Sequence, residues 1–102
     1  MKAFKGARRV RFPGIQVLYS PDSSFKVSAV VSKKIASTAV RRNYMRRSVY
    51  AAARDWYTSA PHATGTYIFV LQSDAKSISI STLRDSVMLG IESFLPPTTY
   101  SR

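Results

Sequence analysis

Cysteine is absent from the 102 residues, which excludes disulfides, thiolate zinc sites and thiol nucleophiles together. Acids are scarce: five against 16 Lys and Arg, with Asp22, Asp55, Asp74, Asp85 and Glu92 scattered so that no two stand within one helical turn. Side-chain catalysis through paired carboxylates or a carboxylate-bound metal is therefore poorly supplied. The single histidine, His62, follows a proline in a loop and reads as an ordinary surface side chain rather than a catalytic one. With only four glycines there is no Gly-rich phosphate loop, and the serines lack a base in any recognisable motif. No apolar run approaches the ~20 residues that span a bilayer. The basic N-terminus is not followed by the apolar core of a secretory signal. A soluble cytoplasmic domain without membrane contact is expected.

What is present is positive charge, unevenly placed. Residues 1–54 hold 13 Lys and Arg against the single acid Asp22, whereas residues 55–102 hold three against four acids. Solubility alone does not require one half of a chain to be stripped of acids, so the composition points to a polyanionic partner. Apolar residues at 45% and aromatics at 12% suffice for a folded core, so this polycation is not a disordered tail.

The hydrophobic pattern predicts one domain over residues 1–102: a basic arm at 1–14, a folded core at 15–95 and a tail at 96–102. Gly6, Pro13 and Gly14 interrupt the arm, which reads as irregular. Ile15, Val17 and Tyr19 alternate as one face of a strand, and Ser20–Ser24 reads as a turn into a second strand at Phe25–Val31. The two are expected to pair as a hairpin. From Thr38 to about Tyr57 the period becomes helical, with Met45, Val49, Ala52 and Trp56 on one stripe. Residues 66–71 are apolar on both faces and predict a central strand. Leu83, Val87 and Ile91 mark a last helix capped near Ser79 and ended by Pro96-Pro97. The expected fold class is α+β, a small mainly antiparallel sheet packed with two helices.

Candidate binding residues concentrate between Val30 and Arg47, which carry six cations and no acid. Lys33 and Lys34 stand where strand gives way to helix, so their ammonium groups and the first helical N–H groups are expected to converge on phosphates. Arg42, Arg46 and Arg47 add guanidinium forks suited to phosphate oxygens, and Asn43 can meet a ribose hydroxyl or base edge. No acid is interleaved to form i,i+4 pairs on this helix, so its cations repel unless a partner neutralises them. Arg8, Arg9 and Arg11 extend the positive surface. Tyr19, Phe12 and Phe4 lie near the arm and are candidates either for core packing or for stacking on unpaired bases.

The order Val31-Ser32-Lys33-Lys34, Ala39-Val40, Arg42-Asn43 and Arg46-Arg47 resembles the signature of the bacterial ribonuclease P protein component. Tyr44 stands where that family usually has the second arginine of Arg-Asn-Arg, and only Phe4-Lys5-Gly6 and the following basic run resemble the end of its N-terminal helix. The resemblance implies a fold like the second domain of a small-subunit ribosomal protein, with a left-handed βαβ crossover. It implies that a partner ribonuclease P RNA, with Mg²⁺ bound mainly by that RNA, removes the 5′ leader of precursor tRNA, and that the protein has no obligate protein partner. Lys33, Lys34, Arg42, Asn43, Arg46 and Arg47 would then face RNA, and Tyr19, with Phe4 beside it, the leader cleft. A structural RNA-binding protein of the ribosomal kind is the alternative. An autonomous nuclease is disfavoured by the scattered carboxylates.

Overall fold

A computed structural model of the chain describes residues 8–94. Four strands, β1 (Arg8–Phe12), β2 (Ile15–Ser20), β3 (Phe25–Val30) and β4 (Gly65–Leu71), form one sheet in the order β1-β2-β4-β3. Two helices, α1 (Ala39–Ser59) and α2 (Ile80–Glu92), complete an α+β fold. β1 and β2, and β2 and β4, pair antiparallel; β3 and β4 pair parallel and are joined through α1 as one crossover unit.

The expected hairpin between β2 and β3 does not form, because β4 lies between them. Sequence adjacency favours a hairpin, but the strand that is apolar on both faces gains most from the centre of a sheet. The 21–24 segment accordingly crosses the start of β4 instead of turning back. There the Gly65 N–H donates to the Ser24 carbonyl at 2.9 Å, and the Asp22 carboxylate accepts from Ser24 N–H at 3.1 Å and Thr66 Oγ1 at 2.9 Å, with Lys26 Nζ at 3.2 Å. The Ser24 N–H, then Thr66 and Lys26, hold the Asp22 carboxyl down to about 2 from an ordinary 3.8. A depressed carboxyl stabilises the fold above its unfolded pKa and loses that contribution as pH falls through the folded one. The acid limb of stability between about pH 4 and 2 should therefore flatten in Asp22→Asn, as followed by denaturant unfolding at stepped pH; an unchanged limb would remove Asp22 as its source.

The arm expected to be irregular is instead strand β1 from Arg8 to Phe12. Its period-two pattern is real: Val10 and Phe12 are half-buried against the core, whereas Arg9 and Arg11 point away. Pro13 and Gly14 form the β1–β2 turn, with Gly14 at φ +80°, a conformation that L side chains rarely adopt. Phe4 and the 96–102 tail lie outside the described residues.

Register sets the faces. Val10, Val17, Phe69 and Ala29 form one cross-sheet row, and Phe12, Ile15 and Leu71 another, all on the side covered by both helices. The predicted stripe Met45, Val49, Ala52 and Trp56 is buried there, with Leu83, Val87 and Ile91 of α2. None of the residues on the opposite face is fully buried; Leu18, Ile68 and Val70 are intermediate. A short 3₁₀ turn at Ser73–Lys76, not anticipated from the sequence, closes the molecule: Asp74 accepts from Gly14 N–H at 3.0 Å and pairs with Arg11 at 2.8 Å.

Candidate nucleic-acid interface

The cationic surface is built at the end of the sheet where β3 finishes. After Val30 the chain turns at Ser32–Ala36, with Ile35 and Ala36 N–H groups donating to the Ser32 carbonyl at 3.0 and 3.2 Å. Val31 and Ala36 are buried on either side of this turn, and Lys33 and Lys34 are exposed between them. α1 begins only at Ala39, capped by Thr38, whose Oγ1 accepts from Arg41 N–H at 3.2 Å. Lys33 and Lys34, expected to converge on phosphates with the first helical N–H groups, thus stand ahead of the helix N-terminus. They precede it on a separate turn, with the extended Thr38 as the cap between them.

Along α1 the arginines divide by their position on the wheel. Arg41 and Arg47 are exposed; Arg42 and Arg46, at the edge of the buried stripe, are half-buried. Arg42 Nη1 donates to the carbonyls of Ala36 at 3.0 Å and Ser37 at 3.2 Å, and Arg46 donates to Asn43 Oδ1. Asn43, Arg46, Arg47 and Tyr50 together line a shallow hollow. Tyr50 ties that hollow to the sheet, since its hydroxyl accepts from the Ala29 N–H of β3 at 3.2 Å while its ring stays 38% exposed. The hollow is thus a feature of the α1 surface beside the β3 edge, with an aromatic ring in its wall. Arg41, over the exposed Tyr44 ring at 5.4 Å, and Tyr50 were not selected from the sequence as binding residues. Their signal was present: both lie on the acid-free half of the helix, outside its apolar stripe.

The remaining candidates sit elsewhere. Arg8 and Arg9 are neighbours in sequence but project to opposite faces, and the Arg8 guanidinium lies 5.8 Å from the Tyr19 ring centroid and 5.3 Å from that of Phe94. Tyr19 faces the helices, stacked on Phe94 at 4.8 Å and tilted against Tyr67 at 5.2 Å. Burial, with Tyr19 as neighbour, pushes the Tyr67 phenol up to about 12. From this cluster to the end of β3 is roughly 10 Å along the strands and about 10 Å across two strand spacings. Tyr19 is consequently not brought together with the lysine turn, and Phe12 lies at the β3-end level of the sheet but on β1, three strands from β3. The aromatic cluster borders a cavity of about 560 Å³ whose lining includes Trp56 and His62 but no lysine or arginine.

Among the described residues the salt bridges join Arg11 to Asp74, Lys26 to Asp22 and Arg84 to Asp55. Lys33, Lys34, Arg41, Arg42, Arg46 and Arg47 have no carboxylate partner among them. The described residues also gather no three His, Asp or Glu side chains that could hold a metal ion.

A family model described as Ribonuclease P matches residues 1–93. This chain belongs to the ribonuclease P protein family. It is a protein subunit of ribonuclease P, an RNA-binding component of tRNA processing. Solved structures agree in fold. The RNase P protein from Thermotoga maritima is 15% identical with a TM-score of 0.73, over 93% of this chain and 90% of that one. The Staphylococcus aureus RNase P protein is 18% identical with a TM-score of 0.67, over 90% and 84%. No curated protein matches this subunit in sequence. No helix among the described residues is long and apolar enough to cross a membrane.

Proposed function

We propose that this subunit uses the Lys33–Lys34 turn and the first half of α1 to hold ribonuclease P RNA and the single-stranded 5′ leader of precursor tRNA, while the RNA carries out the cleavage. The observation that carries this reading is a cluster of five cations, Lys33, Lys34, Arg41, Arg46 and Arg47, without a carboxylate partner among the described residues, next to a hollow on α1 walled by an exposed tyrosine. Unpaired cations repel one another in the free protein and release condensed counterions when phosphates replace them, so their free energy is recovered on binding RNA.

The hollow suits an unpaired strand better than a duplex. Tyr50 presents a ring on which any base can stack, Asn43 can donate and accept toward a ribose or base edge, and Arg46 and Arg47 meet phosphate oxygens. None of these contacts demands a particular base, as a leader of variable sequence requires. On the open sheet face, by contrast, Arg11 and Lys26 are already paired with acids, which leaves Arg9 there without a carboxylate partner among the described residues and makes that face a poorer phosphate surface.

Four of the five acids make structural contacts, Asp22, Asp55 and Asp74 in cation pairs and Glu92 with the Trp56 indole at 3.2 Å, and the fifth, Asp85, stands exposed on α2. We assign the Mg²⁺ that activates water for phosphodiester hydrolysis to the RNA. The chain's own contribution is to bind and orient, and to reduce phosphate repulsion between leader and RNA, within the cytoplasm where precursor tRNA is matured.

This reading predicts that the holoenzyme binds a precursor tRNA carrying a leader of several nucleotides more tightly than one with a single nucleotide, by about tenfold for one or two stacked bases and their phosphates. Equal affinities, measured by titration at constant salt, would favour a purely structural RNA-binding role.

A further inference from the structure

The hydrogen bonds around the lysine turn single out Arg42. The turn closes on itself through the Ser32 carbonyl, which leaves the carbonyls of Ala36 and Ser37 directed at α1, and both accept from Arg42 Nη1. The Arg42 N–H is bound in turn to the Thr38 carbonyl at 3.0 Å, so the backbone and side chain of one residue hold three consecutive carbonyls where the connection enters α1. Arg41 and Arg47 make no such bonds to the turn and are exposed, while Arg42 is half-buried. Two adjacent lysines on an eight-residue connection between β3 and α1 would otherwise spread apart, each carrying a full charge and a flexible stem.

We propose that Arg42 is a positioning residue that does not itself contact RNA: it clamps the Ala36–Ser37 carbonyls and thereby fixes Lys33 and Lys34 for phosphate. The proposal rests on the RNA-binding reading of the lysine turn. A guanidinium suits the task because its planar fork stays charged at all relevant pH and bonds carbonyl oxygens at fixed angles. Ordering the turn in the free protein removes an entropic cost that would otherwise fall on RNA binding.

Two measurements test it. The first is amide hydrogen exchange in the full-length protein without RNA. Arg42→Ala should speed exchange at Ile35 and Ala36 by about tenfold, the size expected for loss of charge-assisted bonds, while Val49 and Phe69 in the core keep their rates. If Arg42→Ala does not fold, Arg42→Lys, which keeps the charge but loses the planar fork, should show the same local rise to a smaller degree. Unchanged exchange at Ile35 and Ala36 would overturn the clamp.

The second is a cycle of affinities for a bacterial ribonuclease P RNA. Arg42→Ala alone should weaken binding about fivefold, yet less than about twofold when Lys33 and Lys34 are already alanine, because its effect passes through them. Additive losses would make Arg42 a direct contact and overturn the proposal. If the Lys33→Ala, Lys34→Ala protein bound RNA as tightly as the parent, the RNA reading of the turn would fall, and the positioning role with it, even where exchange had risen.

Discussion

Alanine at Lys33, Lys34, Arg46 and Arg47 together should lower affinity for ribonuclease P RNA by about two to three orders of magnitude near 0.15 M salt. Each phosphate contact contributes roughly 0.7–0.9 to the slope of log K against log salt, so four lost contacts flatten that slope by about three units. The fold should survive the same change. None of the four has a carboxylate partner among the described residues, so no acid is left behind when it goes. Removing like charges from α1 relieves repulsion and replaces arginine with the best helix former. A melting temperature that holds or rises while RNA affinity collapses is the expected pairing, read by thermal unfolding and by titration at several salt concentrations. An unchanged slope would take these residues out of the interface.

A comparably large effect, this time on stability, is expected at Gly65. It opens β4 at φ +118°, outside the region that L side chains adopt, and is buried beneath Tyr19. A Cβ there would lie 2.5 Å from Tyr19 Cε1 and 3.3 Å from Cδ1 and Cζ. Gly65→Ala must therefore strain the backbone and push the ring off Phe94 and Tyr67. Together these should cost about 3 kcal/mol, since backbone strain and overpacking each cost roughly 1–3 kcal/mol. For a domain of this size that corresponds to a fall of about 10–20 °C in melting temperature. Because Tyr19 stands apart from the lysine turn, the folded fraction of the variant should keep its RNA affinity at low temperature. A drop in affinity without a drop in stability would instead place Tyr19 against RNA.

The sequence revealed those parts of the fold that depend on local period. The run at 66–71, apolar on both faces, became the central strand, the Met45–Trp56 stripe became the buried face of α1, and Ser79 capped α2. Strand order was less legible. A turn-like Ser20–Ser24 between two alternating strands looks the same whether the strands pair or admit a third between them; the deciding interactions, Gly65 with Ser24 and Thr66 with Asp22, join residues over 40 positions apart. β1 was hidden because its arginines alternate with Val10 and Phe12 beside a Pro-Gly turn, a mixture that also describes an irregular arm.

The candidate surface was legible as charge but not as geometry. Lys33, Lys34 and Arg47 are exposed, as an acid-free run implies. That Arg42 turns back onto two carbonyls, and that Tyr50 rather than Tyr19 lies beside the α1 cations, depends on how α1 sits against the β3 edge. No spacing in the chain encodes that placement.

The central claim is that this subunit assists an RNA catalyst by holding RNA and leader. Single-turnover cleavage of a precursor tRNA by a bacterial ribonuclease P RNA at low Mg²⁺, with and without the protein, tests it most directly. The account predicts faster cleavage at the mature 5′ end with the protein present, a gain that shrinks when the leader is shortened to one nucleotide, and no cleavage by the protein alone. RNA binding without any gain in rate, or cleavage by the RNA-free protein, would contradict it.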